Sequence, residues 1–257
     1  MTKAILISFL CYAISFSFEG PDLMLLGPDY VFEDKSINLV GTDSTGNGIS
    51  ASAAQASLYG IKSLDWTYVA SRITKKGWSS AITFRSYGIK DIYMSSKYSI
   101  YLGKSVSRFL LVGLSYSHLT KTYGNNLYKS ADDIFSIGLG LRYSELNLRA
   151  QIDNLKFDNS GDIPDNKPEI IIAGNWQTEK SFSIYALLYN DPRDHSRLIL
   201  GQNLELHNSA NLIAGIISGP ELYFAGIEMV YKRIVFGYTY FDVGGLGDCS
   251  KLTVTYR

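Results

Sequence analysis

The chain has 257 residues with 24 basic and 24 acidic side chains, so its formal net charge is zero. That balance gives no electrostatic footprint for nucleic acid, and two cysteines, one inside an N-terminal apolar run, exclude an intrachain disulfide framework. Aromatic residues make up 13%, led by 19 tyrosines, a surplus expected where rings sit at both interfaces of a membrane.

Lys3 and the apolar run Ala4–Phe16 open the chain as an export signal over residues 1–17, with Ala13, Ser15 and Ser17 offering cleavage sites. The run is shorter than the roughly 20 residues of a spanning helix. Leu10 precedes Cys11 where a lipid-attachment motif needs a small residue. Residues 18–49 carry no strong period and are expected to form an N-terminal plug or a periplasmic segment. No later apolar stretch is long enough for a membrane helix, so any membrane-spanning fold here is a β-barrel.

From about Leu64 to Arg257 short runs alternate apolar and polar side chains, the period of strands with two unlike faces. The pattern predicts strands at 64–73, 78–87, 92–102, 109–118, 134–143, 146–153, 169–177, 181–189, 197–206, 210–218, 221–231, 234–241 and 251–257. Phe135, Ile137, Leu139, Leu141 and Tyr143 share one face against Ser136, Gly138, Gly140 and Arg142. Leu146, Leu148, Ala150 and Ile152 repeat the pattern, as do Ile234, Phe236, Tyr238 and Tyr240, then Leu252, Val254 and Tyr256. The second face is full of Gly, Ser, Asn and single charges, which predicts a narrow polar lumen.

Connections sort into two ends. Thr74–Gly77, Gly103–Ser105, Ser144–Glu145, Thr178–Lys180, His207–Ser209 and Lys232–Arg233 are tight, whereas Lys121–Asp133, Asn154–Pro168, Asn190–Ser196 and Asp242–Ser250 are longer and polar, with Gly88–Asp91 and Gly219–Pro220 as two short exceptions on the long side. Tight periplasmic turns and longer external loops are the habit of outer-membrane barrels. Parity then requires one more strand within 36–60, best placed at Ser50–Tyr59, giving about fourteen. The expected fold is an all-β, transmembrane antiparallel β-barrel over 50–257, in the outer membrane of a bacterium after export. A soluble periplasmic β-protein is the structural alternative. Against it, apolar faces such as Ile92, Met94, Tyr98, Ile100 and Leu102 recur in most strands.

Near the C-terminus, Tyr223-Phe224-Ala225-Gly226-Ile227-Glu228, Phe236-Gly237-Tyr238-Thr239-Tyr240 and Gly244-Gly245-Leu246-Gly247-Asp248 precede the last strand. This stretch resembles the closing hairpins of PorV/PorQ-type outer-membrane proteins, relatives of the long-chain fatty-acid transporter barrels. Asn154-Leu155 with Pro168-Glu169 and Gly174, and Ala53-Ala54 with Ser57, resemble further segments of that family. The chain departs from it in lacking a glycine-rich N-terminal segment and in ending Tyr256-Arg257. The resemblance implies a fourteen-stranded barrel; the chain itself is read as a non-enzymatic, monomeric barrel embedded in outer-membrane lipid. For function the resemblance implies either a secretion-associated envelope component, with secreted proteins or a secretion apparatus as partners, or a transporter of small hydrophobic molecules.

Candidate sites are weighed against simpler readings. Asp158, Ser160, Asp162 and Glu169 have calcium-loop spacing, but Ile163 stands where glycine is needed and prolines intervene, so a solvated acidic loop is favoured. Asp191, Asp194 and His195 lack a nucleophile. Gly244–Asp248 lacks the Lys-Ser/Thr and the following helix of a phosphate loop, and Cys249 reads as an incidental loop thiol. No cofactor or metal is called for. Arg85, Lys97, Arg142, Arg149, Asp153, Glu205, Glu228 and Arg257 fall on predicted lumen faces, as a polar pathway or, more simply, as mutually paired charges filling the barrel. A transporter would need an apolar pocket between plug and wall, for which Phe109, Leu111 and Phe182 are candidates only if they face inward, against the pattern read here.

Overall fold

The computed structural model describes residues 48–257 apart from 59–60, 62–63, 125–126, 156–167, 180, 191–195, 208, 219–221, 243–246 and 257. The expected export signal and most of the proposed plug segment therefore lie outside the described residues. Fourteen strands follow one another: β1 Gly48–Ser57, β2 Asp65–Lys75, β3 Trp78–Ile89, β4 Tyr93–Ser105, β5 Leu110–Tyr123, β6 Tyr128–Tyr143 and β7 Leu146–Leu155. They continue with β8 Glu169–Glu179, β9 Phe182–Asn190, β10 Arg197–His207, β11 Ala210–Ile217, β12 Leu222–Tyr231, β13 Ile234–Asp242 and β14 Cys249–Tyr256. Each pairs antiparallel with its sequence neighbours, and β1 closes on β14 through Ala51 opposite Tyr256 to Ser57 opposite Ser250. The sheet is a closed barrel and has no lateral edge to protect.

The six connections expected to be tight lie at the end where β1 begins and β14 ends, whereas β3–β4 and β5–β6 are short joins at the opposite end. At Lys76-Gly77 both residues have positive φ, 50° and 78°, the pattern of a type I′ hairpin turn. Lysine is a poor occupant of that conformation. Lys76→Asn should raise stability by about 0.5 kcal/mol, read as a shift in the urea midpoint, because asparagine enters the left-handed region at lower cost. Ser144 and Lys232 open two further tight turns with φ of 50° and 56°.

One connection departs from the sequence expectation. Lys121–Asp133 is not a loop: β5 runs on to Tyr123 and β6 begins at Tyr128, joined by a short turn. The outward side chains there are His118, Thr120, Thr122, Lys129, Ala131 and Asp133, which are polar or small. Both faces of this hairpin tip are wetter than the rest, so the apolar–polar alternation fades while the ladder continues. The strands β4, β5 and β6, with 13, 14 and 16 residues, are accordingly the longest in the barrel.

Burial alternates along the strands and assigns the two faces. On β13 Val235, Gly237, Thr239 and Phe241 are buried and Phe236, Tyr238 and Tyr240 exposed. The exposed set continues round the barrel through Leu139, Leu141, Ile172, Leu188, Leu200, Ile216, Ile227, Leu252 and many others. Aromatic rings bound this belt. At the short-turn end stand Trp78, Phe109, Tyr143, Trp176, Tyr231 and Tyr256, with Lys104 over Trp78 at 4.2 Å, Arg108 over Phe109 at 4.5 Å and Lys232 over Tyr231 at 5.2 Å. At the other edge Phe84 packs on Tyr98 and Tyr116 on Phe135, with centroids 4.9 and 5.3 Å apart. Just beyond them Asp133 accepts from Tyr116 and pairs with His118, each at 2.8 Å.

Candidate functional site

The inner face is where a barrel keeps its chemistry, and here it is divided. At the short-turn half it is polar: Arg72, Ser79, Arg142, Asn147, Arg149, Asn175, Asn203, Glu205, Asn211 and Thr255 point inward by alternation. The long-loop half differs. Ala54, Ala56, Leu58, Leu64, Trp66, Ile171, Ala173, Tyr185, Leu187, Tyr189, Ile199, Ile213, Ile217, Leu222, Phe224, Phe241 and Cys249 form one buried apolar cluster on the inner surface of β8–β14, β1 and β2. The expected wholly polar lumen is corrected accordingly.

The sequence holds a signal for this. Ile170-Ile171-Ile172-Ala173, Ile184 to Tyr189 and Leu212 to Ile217 are apolar on both faces, as strands buried on both sides are. Outward and inward residues are apolar together there, so alternation alone hides the inner set. Cys249 is likewise no loop thiol: it opens β14, on the inner face, and is buried.

Glycine shapes the apolar wall. Tyr185 on β9 lies over Gly201 of β10, and Phe224 on β12 lies over Gly215 of β11. Because Gly201 and Gly215 are themselves register partners, the two rings lean toward each other across β10 and β11, with centroids 6.5 Å apart. Phe224 continues to Phe241 at 5.9 Å, so an aromatic strip runs flat along the wall. Trp66 stacks on Tyr68 at 5.8 Å on β2.

The arc from β3 to β6 is arranged in ordered rows and meets the apolar cluster at Tyr87 and Ile89, which pack against it. Nearest the long-loop rim is Ile89–Tyr93–Tyr123–Tyr128; below it come Tyr87–Ser95–Lys121–Ser130, then Arg85–Lys97–Leu119–Asp132, then Thr83–Ser99–Ser117–Ile134. Ser117 donates to Ser99 at 2.8 Å.

The residues expected to line the lumen sit as follows. Arg85 and Lys97 are direct cross-strand neighbours on inner β3 and β4. Arg142 donates to Asn147 at 3.2 Å, and Arg149 lies on the inner face of β7 below Gln151, which donates to Asp153 at 2.5 Å. Asn211 donates to Glu228 at 3.4 Å, while Glu205 lies at the short-turn end of β10. Arg257 lies outside the described residues. Inner Arg72, Lys121, Asp132, Arg197 and Lys251 belong to the same face by alternation but were not among the expected set.

Of the calcium-loop candidates, Asp158 and Asp162 lie outside the described residues, and Glu169 is fully buried in β8, accepting from Tyr189 Oη at 2.8 Å. Asp191, Asp194 and His195 also lie outside them. Among the described residues no group of three or more His, Cys, Asp or Glu is placed to hold a metal ion. Of the expected pocket residues only Leu111 points inward: Phe109 occupies a turn and Phe182 shares the outer face of β9 with Ile184.

No family model matches this chain, and no curated protein does. Among solved structures, the Acinetobacter baumannii outer membrane protein Omp33 is similar with a TM-score of 0.56 at 8% identity, over 82% of this chain and 98% of that one. A mutant of the Rh. blastica porin is similar over the same shares, with a TM-score of 0.49 at 11% identity. The likeness to Omp33 concerns the fold. This chain is a closed, all-β barrel of fourteen antiparallel strands.

Proposed function

We propose that the protein is an outer-membrane β-barrel that takes up or passes a small hydrophobic molecule, without enzymatic chemistry. The single observation behind this reading is the apolar inner cluster at the long-loop half, from Trp66 through Leu187 and Ile199 to Phe241. A purely aqueous pore has no use for such a surface, since its inner wall faces water and is polar. The exposed outer belt bounded by two sets of rings supports placement in a bilayer, where a closed barrel satisfies every backbone group. The tight turns then face the periplasm and the longer loops face outside.

The second reading, a PorV/PorQ-like envelope component serving secreted proteins or a secretion apparatus, draws on the sequence resemblance. It has one supporting observation in the tall β4–β6 projection, whose polar outer face offers a surface beyond the belt.

The test is mass spectrometry of molecules carried by protein extracted in mild detergent from an outer-membrane fraction. The hydrophobic-transport reading expects an apolar small molecule on the wild type, reduced about tenfold or more by Phe224→Ser, the loss of one well-buried aromatic contact. The variant must still show a heat-dependent gel shift. A wild type that carries no apolar molecule, or a variant that carries as much, would overturn it.

A further inference from the structure

The apolar cluster ends toward the short-turn half on a floor of carboxamides. Asn175 on β8 is the register partner of Tyr185 on β9, and Asn203 on β10 is the partner of Ser183, the next inward residue of β9. Both asparagines point inward and are half-buried. Their Oδ1 atoms are shielded from solvent and accept no hydrogen bond. On the same half of the lumen Asn211 donates to Glu228 and Asn147 accepts from Arg142, so unmet carboxamides are not the rule there. A buried acceptor left unmet costs free energy that a leucine of the same shape would not. Two of them at the foot of one apolar wall form an arrangement that donors from outside the chain complete.

The surroundings fix the shape of such a ligand. Tyr185 lies across Gly201 with its hydroxyl over the glycine, one inward position from Asn203. The inward Ser183 hydroxyl sits on the strand between the two asparagines. With β9 between them, the backbones of Asn175 and Asn203 are about 10 Å apart at ordinary strand spacing, too far for one hydroxyl to serve both. Above them the apolar wall runs from Tyr185 to Tyr189, about 13 Å along β9. Tyr87 and Ile89 pack against the same cluster, and from Tyr87 the rings of Tyr93 and Tyr123 continue to the exposed Tyr128. One surface thus leads from the long-loop mouth down to the asparagines.

We propose that this floor receives the head of an uncharged amphiphile with two or more hydroxyls, of the monoacylglycerol kind, while its medium-length tail lies on the apolar wall. The proposal rests on the hydrophobic-transport reading and narrows its substrate class. A hydroxyl both donates and accepts, so it matches a carboxamide whichever way the group is turned. A carboxylate only accepts and would leave both Oδ1 atoms unmet. The last torsion of asparagine is broad, and turning it presents the oxygen to the lumen. A head with several hydroxyls spans the gap between β8 and β10, with the hydroxyls of Ser183 and Tyr185 between.

The full chain in an amine-oxide detergent, whose head carries no hydroxyl, is titrated with monodecanoylglycerol and with methyl decanoate. The two share tail and ester, and only the first has free hydroxyls. The ratio of their affinities is the readout, because partition into the micelle cancels when variants are compared. Asn175→Leu and Asn203→Leu should each lower that ratio about fivefold, the loss of one hydrogen bond, while methyl decanoate binds at least as tightly as to the wild type. Phe224→Ser should weaken both esters and leave the ratio unchanged. All variants must keep the heat-dependent gel shift. Without ligand, the leucine variants should unfold at the same urea concentration as the wild type or a higher one, since each removes an unmet acceptor. A lower midpoint would mean that the carboxamide is already paired and would overturn the proposal, as would an unchanged ratio in either leucine variant. Methyl decanoate bound with such an unchanged ratio leaves the hydrophobic-transport reading standing, whereas a wild type that binds neither ester removes both.

Discussion

Leu139→Arg should cost about 2–4 kcal/mol of stability in a bilayer, the expense of a basic side chain near the middle of a barrel's lipid face. Leu139 lies between Ile137 and Leu141 on the outer face of β6, with Val112 and Ala150 as register partners on the adjoining strands. All of these are apolar. Tyr143 and Phe135, at the two edges of the belt, are eight residues apart, about 26 Å along the strand, and Leu139 is midway between them. An arginine there is too far from either interface for its head to reach water without distorting strand or bilayer. Thr120→Arg supplies the control. Thr120 faces outward on β5 opposite Ala131, beyond the Tyr116–Phe135 ring pair and Asp133, and should cost no more than about 1 kcal/mol. Reversible urea unfolding from lipid vesicles reads both. Equal costs at the two positions would mean that the belt does not face hydrocarbon, and the membrane placement would go with it.

The fold was largely legible because one physical rule governs most of the chain. Outside the rim, lipid-facing positions must be apolar and alternate with inward ones, so Phe135 to Tyr143 or Ile234 to Tyr240 announce their strands without knowledge of their partners. Turn lengths then give direction, and parity calls for the first strand, found at Gly48–Ser57. The rule fails in two ways. Where β5 and β6 run beyond the apolar belt, the outward residues His118, Thr120, Thr122 and Lys129 are polar, and a continuing hairpin looks like a polar loop. Where the lumen wall is apolar, as at Ile171, Leu187 and Ile217, the inner face carries the same residue types as the outer one. The polar inner wall was easier to see: Arg85, Lys97, Arg142, Arg149 and Glu228 stand out as single charges in otherwise uncharged stretches. What sequence could not provide was their grouping, because Arg85 beside Lys97, or Tyr123 between Tyr93 and Tyr128, is a matter of register between strands.

Register also decides the second large effect, expected at Gly215. Its φ is unremarkable for a strand, so the demand for glycine is one of space. A Cβ there would meet the Leu200 carbonyl oxygen on β10 at clashing distance and the Phe224 ring at 2.5 Å from Cζ. The ring can swing away, but the carbonyl belongs to the hydrogen-bonded ladder between β10 and β11 and cannot. Gly215→Val should therefore cost about 3 kcal/mol, at the upper end of ordinary overpacking, measured by the urea midpoint in vesicles. Phe224→Ala in the same chain should recover only part of that cost, because it removes the ring and leaves the backbone conflict. The displaced ring has one place to go, into the lumen, which parts Phe224 from Tyr185 and Phe241 and breaks the flat aromatic strip. Gly215→Val should consequently lose any bound apolar molecule even in the fraction that still folds, whereas Lys76→Asn, remote from the strip, should keep it. Full recovery by Phe224→Ala would mean that the ring alone requires the glycine, and wild-type stability for Gly215→Val would mean that the Phe224 ring does not rest on this wall.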